Sequence, residues 1–155
     1  MKIALKSGER LFINGAVIRA ERKTSIELMN DAVFLLESHV LQPEEATTPL
    51  KQLYFILQTM IMDPAAAPAA KDMFHVVLAS VSGAFSSSEV LDKLDEVGQL
   101  ARKDRWFEAM KTVRALYPLE ARLMAADHRA RQEEEKTSGF SARQPAYSEP
   151  HLELV

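Results

Sequence analysis

The chain contains no cysteine, which excludes a disulfide framework, a thiolate zinc site and a cysteine nucleophile together. Glycine is scarce too. The five glycines are not spaced as a Walker loop, a dinucleotide fingerprint or a nucleophile elbow, the arrangements in which glycine lets a backbone cradle phosphate or turn sharply. His39, His75, His128 and His151 are too dispersed for the i, i+4 pair of a helical metal site. A non-enzyme is therefore expected, with no catalytic residue, metal or cofactor. Neither charge sign dominates, because 19 basic and 22 acidic residues leave a net −3. Long apolar runs are also missing. A membrane span needs about 18 or more such residues, and the most apolar stretch is cut by Lys51, Gln52, Gln58 and Thr59. The N-terminus carries Lys2, Lys6, Glu9 and Arg10 without an apolar core region, so no secretory signal is expected.

What is present divides near residue 42. Before it, apolar and polar residues alternate: Ile3 and Leu5 with Lys2, Ala4 and Lys6; Leu11 and Ile13 with Arg10, Phe12 and Asn14; Ile26 and Leu28 with Ser25, Glu27 and Met29. Period two predicts strands. Ser7-Gly8 and Asn14-Gly15 are turn dipeptides, and Glu21-Arg22-Lys23 reads as a polar hairpin tip. Four or five short strands in an antiparallel meander, ending with residues 32–36, are expected.

Beyond residue 42 the period becomes helical. In residues 41–64, LQPEEATTPLKQLYFILQTMIMDP, Thr48 offers a hydroxyl to orphan amides, Pro49 suits the first helical position, and Asp63-Pro64 ends the run. Apolar residues on nearly every face predict a central helix. A second helix is expected over 68–85, and Ser86 with Glu89 reads as a capping box opening a third. Asp104 is the expected cap of a fourth helix, carrying Trp106, Phe107, Met110, Val113 and Leu116 up to a break at Tyr117-Pro118. A thinner stripe runs from residue 119 to 135. The predicted fold is α+β: a small N-terminal antiparallel sheet over 1–42, a bundle of four to five helices over 43–135, and a disordered tail over 136–155, where Ser, Gly, Pro and charges show no period.

Two surfaces are candidates for function. Lys2, Lys6, Arg10, Arg19, Arg22 and Lys23 face only Glu9 and Glu21 in the first 23 positions. Such a local positive field is what neutralises phosphates and releases counterions, with Phe12 as a stacking surface for an unpaired base. The same alternation also describes the wet side of a half-buried sheet with guarded edges. In the helical part, Trp106-Phe107-Glu108-Ala109 is similar to the second half of a tetratricopeptide unit, and an ordinary helical hairpin fits the pattern as well. Trp106, Phe107, Met110 and Arg114 are the candidate protein-docking residues.

Three blocks carry a resemblance: LKSGERLFINGAVIRA at 5–20, LQPEEATTPLKQLYF at 41–55 and RWFEAMKTVRALYPLE at 105–120. With them the chain resembles the FlbT family of flagellar-biosynthesis regulators. The resemblance implies a cytoplasmic bacterial protein that restrains flagellin synthesis by acting at the flagellin messenger leader. It also leaves open an adaptor or export chaperone that binds a flagellar protein and does not touch RNA. GERLFINGAV at 8–17, with residues 33–40, is similar to the sheet of the carbon storage regulator family, which binds messenger leaders as an intertwined dimer. That likeness implies a homodimer through the N-terminal sheet. Leu36 and Glu37 stand where that family has a basic residue, so contact is expected from the first strand and from Arg10, Arg19, Arg22 and Lys23.

Overall fold

The computed structural model describes residues 1–141, with strands followed by helices in an α+β arrangement. Strands β1 (Lys2–Leu5), β2 (Arg10–Ile13), β3 (Ala16–Arg19) and β4 (Thr24–Glu27) share one register. β1 pairs with β4 from Lys2–Glu27 to Leu5–Thr24, and β2 pairs with β3 from Arg10–Arg19 to Ile13–Ala16. Backbone bonds from Ala20 N to Glu9 O (3.0 Å) and from Leu28 N to Met1 O (2.8 Å) extend the same register. Residues 1–28 are thus one long hairpin. Its tip is Asn14-Gly15, both at positive φ (49° and 80°), as a two-residue type I′ turn requires.

The hairpin is folded over on itself. Glu9 N donates to Lys6 O (3.0 Å) across a turn with Gly8 at φ 79°, the position where a type II turn demands positive φ. The second arm bends at residues 21–23. Ile3 and Leu5 consequently pack with Leu11 and Ala20 in one core, against which Ile26, Leu28, Phe34 and Leu36 are packed. Strand β5 (Phe34–Leu36) adds to the free edge of β2. This corrects the meander and the hairpin tip at Glu21-Arg22-Lys23: β3 and β4 do not pair, and those residues form the outer bend. Period two revealed the strands but not their partners, because alternation is local and pairing is not.

Two 3₁₀ turns, Glu37–His39 and Pro43–Glu45, lead into α1 (Pro49–Met62). Thr48 caps α1 by accepting from Lys51 N (3.3 Å), as the sequence indicates. One side chain fastens this approach. The buried Gln58 accepts from Leu41 N (2.7 Å) and donates to Leu41 O (2.8 Å), closing both polar groups of one peptide position. Tyr54 Oη donates to His39 O (2.5 Å) and accepts from Arg114 (3.3 Å).

Helix α1 packs against α2 (Ala67–Gly83) and α4 (Trp106–Ala115), and α3 (Ser88–Arg102) packs on α4. Their shared interior includes Leu50, Leu53, Leu57, Phe74, Val90, Leu94, Met110 and Val113, each at most 1% exposed. The cap of α3 is Ser87, which accepts from Val90 N, so the N-cap lies one residue beyond the expected Ser86 and, with Val90 at N3, the expected box with Glu89 does not form. Arg105, not Asp104, is the N-cap of α4. Asp104 takes φ 56° and accepts from the Trp106 indole N–H (3.2 Å) instead. In a serine run or beside a tight turn, local sequence alone does not decide which neighbour ends the helix.

Residues Met1–Leu119 form one compact unit, and the stretch from Glu120 on forms a second. Helix α5 (Tyr117–Ser141) begins at the expected break and continues through Thr137 to Ser141, past the point where the apolar stripe ends. The rest of the expected tail lies outside the described residues. Among the described residues, no helix is long and apolar enough to cross a membrane.

His39, exposed in the approach to α1, is expected to make stability modestly sensitive to mild acid. Partial desolvation, reinforced by the Arg114 charge, lowers its pKa from the ordinary histidine value. The folded state therefore binds the proton more weakly than the unfolded chain does, so this group's stabilisation is present above the ordinary histidine pKa and is lost as pH falls through the folded value. Urea midpoints should drop between about pH 7.5 and pH 5.5, where histidine normally titrates, and His39→Gln should reduce that drop. An equal drop in the variant would move the effect to other groups.

Candidate functional site

Lys2, Lys6, Arg10, Arg19, Arg22 and Lys23 are all exposed, and Phe12 is half-buried. In a ladder, directly opposed residues share a face. Arg10 and Arg19 are such a pair, and so are Phe12 and Val17, which collects two guanidinium groups and a ring on the face opposite Leu11. Lys6 and Lys23 each adjoin the Leu5–Thr24 pair that ends the β1–β4 ladder at the bend. Lys2 stands across from Glu27. Arg22 lies within the bend, where strand alternation lapses. Because the hairpin folds with its apolar side inward, the strand cations occupy the outside of the fold.

Opposed like charges repel, and Glu37 relieves this repulsion at Arg10. Its carboxylate accepts from Arg10 N (3.0 Å) and from Arg10 Nε (3.0 Å), and it lies 2.9 Å from a terminal guanidinium nitrogen. The hydrogen bonds from Arg10 hold the Glu37 carboxyl below its usual pKa. The Arg10 guanidinium also lies 5.8 Å from the centre of the Phe12 ring. Among the described residues, Arg10 is the one member of the six engaged in an ion pair. Its charge is partly spent, whereas Arg19, Lys6 and Lys23 retain theirs.

The four docking candidates separate. Trp106 and Phe107, on the first turn of α4, line a cleft of about 1210 Å³ that also takes in Phe34, Met60, Ile61 and Asn14. Met110 is fully buried in the helical core, and Arg114 is held against Tyr54. Trp106 meets Phe74 edge-on at 5.1 Å, and Phe107 meets Phe34 at 6.1 Å. Lys71 lies 5.7 Å from the centre of the Trp106 ring, and Lys111 lies 4.3 Å from that of Phe107. Helical spacing from Phe107 to Lys111 was available to find the second contact. Nothing local joins Lys71 to Trp106, since two helices must pack to bring them together.

The sequence profile of a family described as "Flagellar protein FlbT" matches residues 1–124. A Brucella ovis protein named "Probable flagellum biosynthesis repressor protein FlbT" is 52% identical over 126 residues, covering 81% of this chain and 83% of its own. A Brucella anthropi protein of the same name is 51% identical over 127 residues, covering 82% and 84%. No solved structure matches. The matched region contains both the folded hairpin and the cleft, and the chain belongs to the FlbT family of flagellar proteins.

Proposed function

We propose that this protein represses flagellum biosynthesis by binding the leader of a flagellin messenger in the cytoplasm, with the outside of the folded hairpin as the contact surface. The observation that supports this most is the cross-strand pairing of Arg10 with Arg19 beside Phe12. Two opposed cations next to a ring suit one phosphate and one unpaired base. Lys6 and Lys23 extend the positive strip to the bend. A phosphate between Arg10 and Arg19 would take over the role that Glu37 now has.

Anisotropy titrations of a labelled single-stranded leader are the test. The log–log salt slope should be about −2 to −4, at roughly 0.7 per phosphate contact. Binding without salt dependence would remove the hairpin as the contact surface. Glu37→Gln keeps an acceptor for the Arg10 amide but releases the guanidinium charge. It should raise affinity about two- to fivefold and steepen the slope by about 0.7; an unchanged slope would show that Arg10 does not touch RNA.

The same hairpin is the proposed seat of a homodimer. β3 is an edge strand with all four residues exposed, Val17 at 60%, and an uncovered apolar edge is a template for strand pairing. Sedimentation should show a dimer that Val17→Lys converts to monomer, and a monomeric parent would rule this out.

A further inference from the structure

The cleft beside α4 is lined by three acidic side chains, Asp31, Asp104 and Glu108, and three basic ones, Lys71, Arg105 and Lys111, and they are not all paired with one another. Arg105 on its wall is neutralised by Glu108. Lys71 and Lys111, by contrast, stand over the Trp106 and Phe107 rings with no carboxylate in ion-pair reach among the described residues. The same lining includes the apolar side chains of Phe34, Met60 and Ile61. At the mouth, Met1 is 73% and Val33 41% exposed, and methionine gives a surface that repacks around different shapes.

We propose that this cleft binds a peptide segment of a partner protein, apolar on the side that meets Trp106 and Phe107 and carrying carboxylates placed to reach Lys71 and Lys111. Charge complementarity selects this occupant over nucleic acid. Asp31, Asp104 and Glu108 line the same cleft, so a phosphodiester chain, with a charge at each nucleotide, would place some of them against fixed carboxylates. A peptide carries acids only where the two lysines need them. Its apolar side chains also gain from leaving water against rings and aliphatic groups, which sugars and phosphates do not. The proposal stands apart from the RNA contact on the hairpin.

Trp106 is the single tryptophan of the chain, so its fluorescence reports on this cleft alone. Selection from a phage-displayed library of random dodecapeptides against the full chain should enrich sequences combining Asp or Glu with Leu, Phe or Trp. A synthetic copy of a selected peptide that itself lacks tryptophan should shift Trp106 emission. The double variant Lys71→Glu/Lys111→Glu, its fold checked by circular dichroism, should bind that peptide at least about tenfold more weakly, as loss of two charge pairs implies. The reverse charge pattern in a lysine-substituted peptide should restore binding to the variant. No enrichment, no acidic bias, or equal binding to parent and variant would overturn the proposal. An unstructured oligoribonucleotide that shifts Trp106 emission and displaces the peptide would assign the cleft to RNA instead.

Discussion

Gln58→Leu is expected to lower the unfolding free energy by about 2–5 kcal/mol, since it strands the amide and carbonyl of Leu41 and each buried polar group left without a partner costs roughly 1–3 kcal/mol. Gln58 is 4% exposed, and its two bonds, at 2.7 and 2.8 Å, tie α1 to the stretch between the two 3₁₀ turns, beside the bond from Tyr54 to His39 O. Leucine has nearly the same volume, so the effect reports the lost hydrogen bonds and not a cavity. A fall in melting temperature on the order of 10 °C is the calorimetric equivalent for a chain of this size. Gln58→Glu separates charge from shape: it keeps the acceptor for Leu41 N but loses the donor to Leu41 O at neutral pH. A change below about 1 kcal/mol in the leucine variant, typical of a surface substitution, would mean that the segment finds other partners.

Joint replacement of Lys6, Arg19 and Lys23 by glutamate should weaken binding to a flagellin messenger leader by at least on the order of 100-fold and flatten the salt slope by about 2, at roughly 0.7 per lost contact. The three residues are exposed, so the far-ultraviolet spectrum should not change. Arg19→Glu also sets a carboxylate opposite Arg10 and so neutralises the guanidinium that Glu37 already holds. The same triple variant should leave a peptide bound at Trp106 untouched, because none of the three lines that cleft. Parent-like RNA affinity in the triple variant would eliminate the hairpin surface while leaving the peptide proposal standing. The two surfaces are thereby testable one at a time.

Several features were legible in the residues themselves. Thr48-Pro49 and Asp63-Pro64 delimit α1 because capping and proline sterics act within a few positions. The alternation about Ile3, Leu5 and Leu11 marks a buried face, and Asn14-Gly15 marks a hairpin tip. The positive bias of the first 23 positions, and its placement opposite the apolar residues, follow from composition and pleat alone. Family membership was legible for the same reason, since the matching blocks at 5–20, 41–55 and 105–120 are linear strings.

The partners of those residues required the folded chain. Whether β4 returns to β1 or to β3, whether Glu37 takes up the Arg10 charge, and whether Gln58 clasps Leu41 all depend on segments between 17 and 27 positions apart. Local periodicity has no access to such separations. The split of Trp106 and Phe107 from Met110 and Arg114 has the same origin: all four lie on one helix, but the neighbours that cover two and leave two facing a cleft come from α1, α2 and β5. Short-range sterics and hydrophobic period thus set which elements form and which side of each is apolar. Long-range packing alone set which charges stay unpaired, and it is on unpaired charge that a partner, nucleic acid or peptide, can act.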